Sequence, residues 1–151
     1  VRQGTGGPFA AAVFQRGTGR LLALGVNLVV PTDACIAHAE MVALALAGRA
    51  VGSFDLRPHD AELVTTAEPC AMCLGALPWS GIVSLVCGVR DEAIRTIGFD
   101  EGHKPDDWID ALSERGIAVT RDVLGADALA ILQDYVDAGG VIYNGAEPAG
   151  C

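Results

Sequence analysis

Two segments that lie far apart in the chain contain side chains able to bind a metal ion and to move a proton. The first holds His38, with Glu40 two positions later, and in the second Cys70 and Cys73 are three positions apart. An imidazole and two thiolates are typical zinc ligands, and three protein ligands leave a fourth tetrahedral position open, as in catalytic zinc sites. The pattern therefore predicts one zinc ion per chain, bound by His38, Cys70 and Cys73.

Glu40 supplies the predicted site with a group that can carry a proton. A carboxylate in the apolar start of a helix is unfavourable unless it has a partner, and a water molecule at the open position of zinc is such a partner. Zinc lowers the pKa of bound water towards about 7, so Glu40 can accept a proton and later deliver it to a departing amine. The residues match the pattern H-x-E…P-C-x-x-C of zinc deaminases. We therefore expect Glu40 to act as general base and then general acid.

Other uses of these cysteines stay open at this point. Cys70 and Cys73 follow a predicted strand and open a helix, which is also typical of a thioredoxin-type redox pair. That alternative leaves the imidazole and the carboxylate of the first segment without a role. Cys87 or Cys151 could complete a structural zinc site. The same side chains could also be unligated core residues.

Length and composition predict the class of protein. The chain has 151 residues, of which 51% are hydrophobic. We expect one compact domain over residues 1–151, with the part after about residue 139 unassigned. The longest apolar run is far shorter than the roughly 20 residues that cross a bilayer, so we expect no membrane segment.

Charge and cysteine content predict the partners and the compartment. The formal net charge is −9, and the only lysine is Lys104. A chain without a basic stripe lacks the usual means of binding polynucleotides, so we expect a small substrate and no nucleic acid. Five cysteines are an odd number, and we see no secretory signal. Both observations favour reduced thiols and a cytoplasmic location.

Hydrophobic patterning predicts strands that alternate with helices. Strands are predicted over residues 8–14, 21–30, 61–66, 82–89 and 117–123, and helices over residues 36–47, 68–77, 91–97, 105–115 and 126–138. We expect Thr32 or Asp33 to cap the first helix and Pro78 to break the second. Such alternation is typical of a single α/β/α layered domain.

At these residues the chain resembles the cytidine deaminase superfamily, and within it the small bacterial guanine deaminases. The likeness runs from about residue 6 to residue 101, with a weaker match at residues 143–145. The resemblance implies a cytidine deaminase-like α/β fold, with three α/β/α layers and a central mixed five-stranded sheet. It also implies a homodimer that hydrolyses a free nucleobase, with guanine converted to xanthine and ammonia as the first expectation.

The resemblance further implies substrate-binding residues. Asn27 matches an asparagine that hydrogen-bonds the base, and Phe9 and Trp79 match pocket aromatics. The sequence Gly-Phe-Asp-Glu over residues 98–101 resembles a guanine deaminase segment, by which Phe99 lines the pocket and Glu101 accepts hydrogen bonds from the purine. An ionised carboxylate only accepts hydrogen bonds, so it complements the several N–H donors of guanine.

Some features keep other substrates open. Cys35 stands where relatives more usually have a small polar residue or proline, and the segment after Glu101 departs from guanine deaminases. The alternatives are another small amino-heterocycle (cytosine, isocytosine or a triazine such as ammeline) and adenosine in transfer RNA. Tyr143 resembles a C-terminal tyrosine near the site in relatives, and we assign it no role from the sequence.

Overall fold

The structure is a computed structural model that describes residues 6–143, and its elements form three layers. The strands β1 to β5 span Ala10–Gln15, Arg20–Val26, Ala61–Ala67, Ser84–Val89 and Ala118–Thr120. The helices α1 to α6 span Val29–Thr32, Ala39–Val51, Ala71–Ser80, Asp91–Thr96, Trp108–Glu114 and Gly125–Asp137, and a 3-10 helix spans Arg57–His59.

The five strands form one mixed sheet in the order β2-β1-β3-β4-β5. β1 is antiparallel to both β2 and β3, whereas β3, β4 and β5 are parallel. The predicted three-layer α/β/α fold with a mixed five-stranded sheet is therefore confirmed. α2 packs mainly against β2 and β1, and it also contacts α3.

The core has one main cluster and a smaller one. In the main cluster, buried residues of β1, β3 and β4 pack against α2, α3 and α5, as shown by Val13, Leu63, Leu77 and Leu112. The smaller cluster combines the ends of β3 and β4 with α4 and α6. Helix α6 contacts β3 and β4.

Helix α2 lies unusually close to β2 because the residues at their contact are small. Ala39, Ala43 and Ala47 repeat every four residues, which places them on one helical face, and all three are fully buried. A Cβ atom on Gly25 would lie 2.1 Å from the carbonyl oxygen of Ala39 and 2.6 Å from the amide nitrogen of Ala43. Gly25 thus sets the position of the first turn of α2, where the predicted metal-binding segment lies.

The position predicted for the end of the second strand is wrong. The strand predicted over residues 21–30 ends at Val26, and Val29–Thr32 forms the short helix α1. Pro31 lies inside this turn. A proline has a fixed φ and no amide hydrogen, so it suits the first turn of a helix better than a strand that must donate hydrogen bonds to the sheet.

The predicted cap of the next helix is also wrong. Neither Thr32 nor Asp33 caps α2, which begins at Ala39 with His38 as its N-cap residue in an extended conformation. The Thr32 hydroxyl donates instead to a carbonyl oxygen one turn earlier. Asp33 adopts a left-handed conformation with φ of 50° and ends α1.

The predicted break at Pro78 does not occur. α3 continues through Pro78 to Ser80 and ends at Gly81, whose φ is 77°. A proline inside a helix removes one hydrogen bond, but here Leu77 is fully buried against the main core, and this packing favours the continued helix. Glycine readily adopts the left-handed C-terminal position.

The later elements are mostly shorter than predicted. α5 begins at Trp108, and β5 ends at Thr120. The strand ends there because Asp122 adopts a left-handed φ of 65° and accepts two hydrogen bonds from Arg90. Within residues 6–143, no helix combines the length and the apolar content needed to cross a membrane.

Gly25→Ala tests how α2 is positioned. We expect the added methyl group to lower the free energy of unfolding by about 1–3 kcal/mol, as overpacking does, because it would overlap the α2 backbone. Gly75→Ala is the matched control, since a Cβ there meets no atom within 4 Å and alanine favours a helix over glycine by about 0.5–1 kcal/mol. Urea unfolding measures both. Equal stability of the two variants would contradict the close approach of α2 to β2.

Candidate metal and substrate site

The three predicted metal ligands converge at the N-termini of two helices. The ligand atoms of His38, Cys70 and Cys73 all lie within 4.8 Å of one another. His38 is the N-cap residue of α2, Cys70 is that of α3, and Cys73 lies in the first turn of α3. Cys70 and Cys73 are both free thiols. Two soft sulfur donors and one imidazole nitrogen fit the ligand preferences of zinc.

The cysteines and the histidine influence one another's protonation. A hydrogen bond from Cys73 and one with His38 lower the pKa of the Cys70 thiol to about 4, against the opposing effect of burial. The Cys70 Sγ lies 3.4 Å from the His38 Nδ1, and this contact raises the pKa of His38. The same sulfur pair raises the pKa of Cys73. Cys70 is therefore the thiol that ionises first. The resulting thiolate is the form that binds metals.

Glu40 lies beside this cluster on the first turn of α2. Its side chain is buried, and burial raises the pKa of its carboxyl, with the nearby charge of Cys70 acting in the same direction. Glu40 faces the same small cavity as His38 and Cys70. The cavity therefore joins a buried proton-carrying group to the candidate metal ligands.

Aromatic side chains form one wall of this cavity. The ring of Phe99 lies 5.0 Å from that of Phe9 and 5.3 Å from that of Tyr143, each measured between centroids and in edge-to-face geometry. Tyr143 also lies 6.4 Å from the ring of His38. Such rings offer a flat apolar surface to a planar ligand. The sequence predicted Phe9 and Phe99 as lining residues, whereas it assigned Tyr143 no role.

Tyr143 brings a polar atom into this wall. Its hydroxyl oxygen is buried, and among the described residues it has no hydrogen-bond partner. Burial is also the main reason that the pKa of Tyr143 is raised. The weaker sequence match around this residue was the only signal that pointed to it, and Asn144 and Gly145 of that match lie outside the described residues.

Two further polar side chains that the sequence predicted also line the cavity. Asn27 is buried just after β2, and its Oδ1 accepts a hydrogen bond of 3.2 Å from the amide of Val29. Glu101 is 7% exposed. Burial, followed by the charge of Cys70, raises the pKa of Glu101 to about 8, while the charge of Lys104 opposes this shift. Asn27 and Glu101 both face the cavity, and their contact with a substrate stays a prediction.

Trp79 is the predicted site residue that the structure places elsewhere. Its side chain is 83% exposed and lies on the outer surface, in a groove between α2 and α3 that also contains Phe54. The reason is helical geometry. Trp79 lies six residues after Cys73, and at 3.6 residues per turn that spacing directs its side chain to a different face of the helix. The expected pocket role of Trp79 is therefore corrected.

A buried ionic network lies behind the site, and sequence reasoning did not find it. Glu68 is buried and pairs with Arg121, at 2.5 Å between Nε and Oε1. Lys104 lies 3.5 Å from an oxygen of Asp91 and 4.0 Å from one of Glu68. Lys104 is the only lysine of the chain, beside nine arginines, and the composition alone gave no signal of a buried position.

The structure gives less support to the alternative roles that the sequence left open for the other cysteines. Cys87 is buried, and its thiol donates a hydrogen bond to the carbonyl oxygen of Thr120 rather than to a candidate metal ligand. Cys151 lies outside the described residues. Cys35 is exposed.

Comparison with known proteins agrees with this site. The model of the cytidine and deoxycytidylate deaminase zinc-binding region matches residues 2–89. The chain belongs to this family. Members of the family are hydrolases that act on C–N bonds of cyclic amidines. The matched segment contains His38, Glu40 and both cysteines of the candidate site.

The most informative relatives are guanine deaminases. A solved structure of guanine deaminase from Nitrosomonas europaea has a TM-score of 0.84 and 50% identity, over 86% of this chain and 73% of that chain. The protein NE0047 in complex with 2,6-diaminopurine has a TM-score of 0.87 and 51% identity, over 92% of this chain and 75% of that chain. Guanine deaminase of Bacillus subtilis (strain 168) is 35% identical over 67% of this chain, and the match spans 62% of its own length.

Enzymes with other substrates are more distant relatives. A tRNA-specific adenosine deaminase of B. subtilis is 38% identical over 48% of this chain and 44% of its own length. A probable cytosine deaminase of Schizosaccharomyces pombe is 31% identical over 79% of this chain and 64% of its own length.

Proposed function

We propose that this chain is a zinc-dependent aminohydrolase that converts free guanine and water to xanthine and ammonia. Three buried carboxyl groups line the small cavity beside the candidate metal ligands, and one of them, Glu68, pairs with Arg121. The observation that carries the proposal is the presence of the other two, Glu40 and Glu101, in this one cavity. One carboxyl group suits proton transfer and the other suits recognition of a base. The similarity to guanine deaminases, at about 50% identity, supports guanine as the base.

His38, Cys70 and Cys73 would hold the zinc ion. When bound, zinc lowers the pKa of water and so supplies the nucleophile at neutral pH. Two thiolates and a neutral imidazole together balance the charge of Zn²⁺, which favours a buried position. The low pKa of Cys70 means that little free energy is needed to ionise that thiol before it binds a metal.

Glu40 would move the protons of the reaction. Its carboxylate accepts one proton from the attacking water and donates it to the ring nitrogen next to the reacting carbon. It then accepts the second proton of the same oxygen, which becomes the product carbonyl, and transfers it to the amino group that leaves as ammonia. The raised pKa of Glu40 suits a group that must both take up and release a proton near neutral pH.

The other cavity residues would orient the base. The rings of Phe9 and Phe99 contact the flat faces or edges of a purine, and Glu101, in its ionised form, accepts hydrogen bonds from the N–H groups of the base. Asn27 adds an amide that can donate or accept. A site built to pair with substrate N–H groups rejects analogues that lack them, because its own polar groups would stay unpaired.

Glu40→Gln and Cys73→Ser separate proton transfer from metal binding. We expect Glu40→Gln to retain about one zinc per chain and to lose at least about 10³-fold in kcat, because general acid–base groups contribute about 10²–10⁴-fold. Cys73→Ser should lose both zinc and activity, whereas Cys87→Ala should keep both. Metal analysis by mass spectrometry and ammonia release provide the two readouts. Loss of zinc in Glu40→Gln, or its loss in Cys87→Ala, would contradict these assignments.

A substrate panel tests the choice of base. Ammonia release should be fastest with guanine, compared with cytosine, isocytosine, adenine, ammeline, nucleosides and transfer RNA. Glu101→Gln should lower kcat/KM for guanine by about 10- to 100-fold, which corresponds to losing one hydrogen bond to a charged group of about 1.5–3 kcal/mol. Activity on cytosine should fall less. An equal loss on both bases would argue against Glu101 as the purine acceptor, and a wild-type preference for another panel member would overturn the proposed substrate.

We infer that the chain works as a homodimer in the cytoplasm, on a substrate drawn from purine breakdown. The free thiols of the candidate metal site suit a reducing compartment. The groove between α2 and α3 exposes Phe54, at 93%, together with Trp79. Large exposed aromatic residues are enriched where proteins associate, which supports this groove as the dimer surface.

Light scattering tests the dimer. The wild-type protein should have twice the mass of one chain, and Trp79→Glu should shift it towards the monomer because a charge would replace an apolar contact. Leu24→Glu is the control, because Leu24 is similarly exposed but lies on β2, outside the groove. A monomeric wild type, or a Trp79→Glu dimer, would contradict this surface.

A further inference from the structure

The only lysine of the chain is buried next to the metal-binding segment. The Lys104 side chain is 5% exposed, although the chain has a net charge of −9 and ample room for surface cations. Its ammonium donates a hydrogen bond of 3.1 Å to the carbonyl oxygen of Pro69, the residue directly before Cys70. Burial of an ammonium group is unfavourable unless it is paired and hydrogen-bonded, so this position requires its specific partners.

The loop that carries Lys104 also carries Glu101, and it contacts the start of α3 at two points. The backbone amide of Ala71 donates a hydrogen bond of 2.8 Å to the carbonyl oxygen of Glu101. Lys104 makes the second contact through Pro69. Between these points Gly102 lies close to α3, since a Cβ on Gly102 would lie 2.9 Å from the Cβ of Ala71. The two contacts therefore join the Glu101 loop to the segment that holds Cys70.

Two acids hold the Lys104 ammonium in place. It lies 3.5 Å from Asp91 and 4.0 Å from Glu68, and the Glu68 carboxylate also accepts a hydrogen bond from the backbone amide of Asp91. Removal of the ammonium would leave less positive charge between these two carboxylates and the carbonyl of Pro69. The loop of Glu101 would also lose its second contact with the start of α3, which is the hydrogen bond from Lys104 to Pro69.

Arg121 provides an internal comparison. It also pairs with Glu68, and like Lys104 it lies 5.7 Å from the centre of the Trp108 ring. Among the described residues, however, the hydrogen bond to Pro69 comes from Lys104 and not from Arg121. The two cations therefore share the buried acid and the aromatic ring but differ in their contact with the metal-binding segment.

We propose that Lys104 is a positioning residue that holds Glu101 at a fixed distance from the metal ligands. It acts through the carbonyl of Pro69 on one side and the backbone of its own loop on the other, and it does not contact the substrate. This inference rests on the proposed function, in which Glu101 binds the base. Misplacement of a binding group by about 1 Å can lower the rate about 10²-fold, so a modest shift of the loop has a measurable effect.

The test compares Lys104→Met with Arg121→Met in the zinc-loaded full chain. Lys104→Met should lower kcat/KM for guanine by about 10- to 100-fold and weaken binding of 8-azaguanine, measured by calorimetry, by about 10-fold or more. Arg121→Met should change both by less than about 3-fold, although both variants lower the melting temperature because each removes a partner of Glu68. Equal losses in the two variants would mean that Lys104 acts only through stability and would overturn the proposal.

A second readout does not depend on turnover. The rate at which EDTA removes zinc should rise several-fold in Lys104→Met and stay near the wild-type rate in Arg121→Met, because only the first loosens the segment next to Cys70. If the wild type does not deaminate guanine but zinc release separates the variants, the proposed function fails and the role of Lys104 at this segment stands. If the wild type deaminates guanine and Lys104→Met matches it in every readout, the positioning role fails alone.

Lys104→Arg keeps the test valid if Lys104→Met does not fold. Arginine preserves the charge but presents it on a planar fork rather than as a point charge. Lys104→Arg should therefore show an intermediate loss of guanine activity and of 8-azaguanine affinity, while Arg121→Lys stays within about 3-fold of the wild type. Wild-type behaviour of Lys104→Arg, together with changes in Arg121→Lys, would overturn the proposal.

Discussion

The convergence of two helix N-termini is the constraint on which the rest of the site depends. His38 and Cys70 both have extended backbones directly before a helix, so their side chains and the positive ends of two helix dipoles meet at one point. Such ends favour negative charge, which agrees with the lowered pKa of Cys70. The two helices contact each other, and the close packing of α2 on Gly25 fixes where its first turn lies.

Buried acids around the site fall into two groups that differ in their partners. Glu68 is paired with Arg121 and lies near Lys104, as expected of an acid that supports structure. For Glu40 and Glu101, burial is the largest influence and raises the pKa of each. Carboxyl groups with raised pKa values in a cavity are typical of functional sites. The contrast supports the proposed roles of Glu40 and Glu101 in proton transfer and base recognition, and a structural role for Glu68.

Much of the fold and the set of candidate metal ligands could be predicted from local sequence, because each depends on short patterns. Alternating strands and helices implied the layered domain, and the donor types implied the triad of His38, Cys70 and Cys73. Helix ends were less predictable. Pro78 stays inside α3 because Leu77 is buried, and that tertiary effect has no local signal. Trp79 was misplaced because similarity to a family does not show which face of a helix a side chain occupies.

The supporting network was the hardest part to predict. Lys104 and Glu68 lie far apart in sequence, and their proximity follows from how the loop after α4 returns to the start of α3. Charge composition alone would place a single lysine on the surface. Long-range pairing of this kind can be identified only in the assembled structure, where it links the loop of Glu101 and Lys104 to the segment before Cys70.

X-ray absorption at the zinc edge of the purified, active protein tests the central claim most directly. The account predicts two sulfur ligands at about 2.3 Å and two nitrogen or oxygen ligands at about 2.0–2.1 Å, since one imidazole and one exchangeable ligand accompany Cys70 and Cys73. Three or four sulfur ligands, or active protein without zinc, would contradict a catalytic metal centre built from these three side chains.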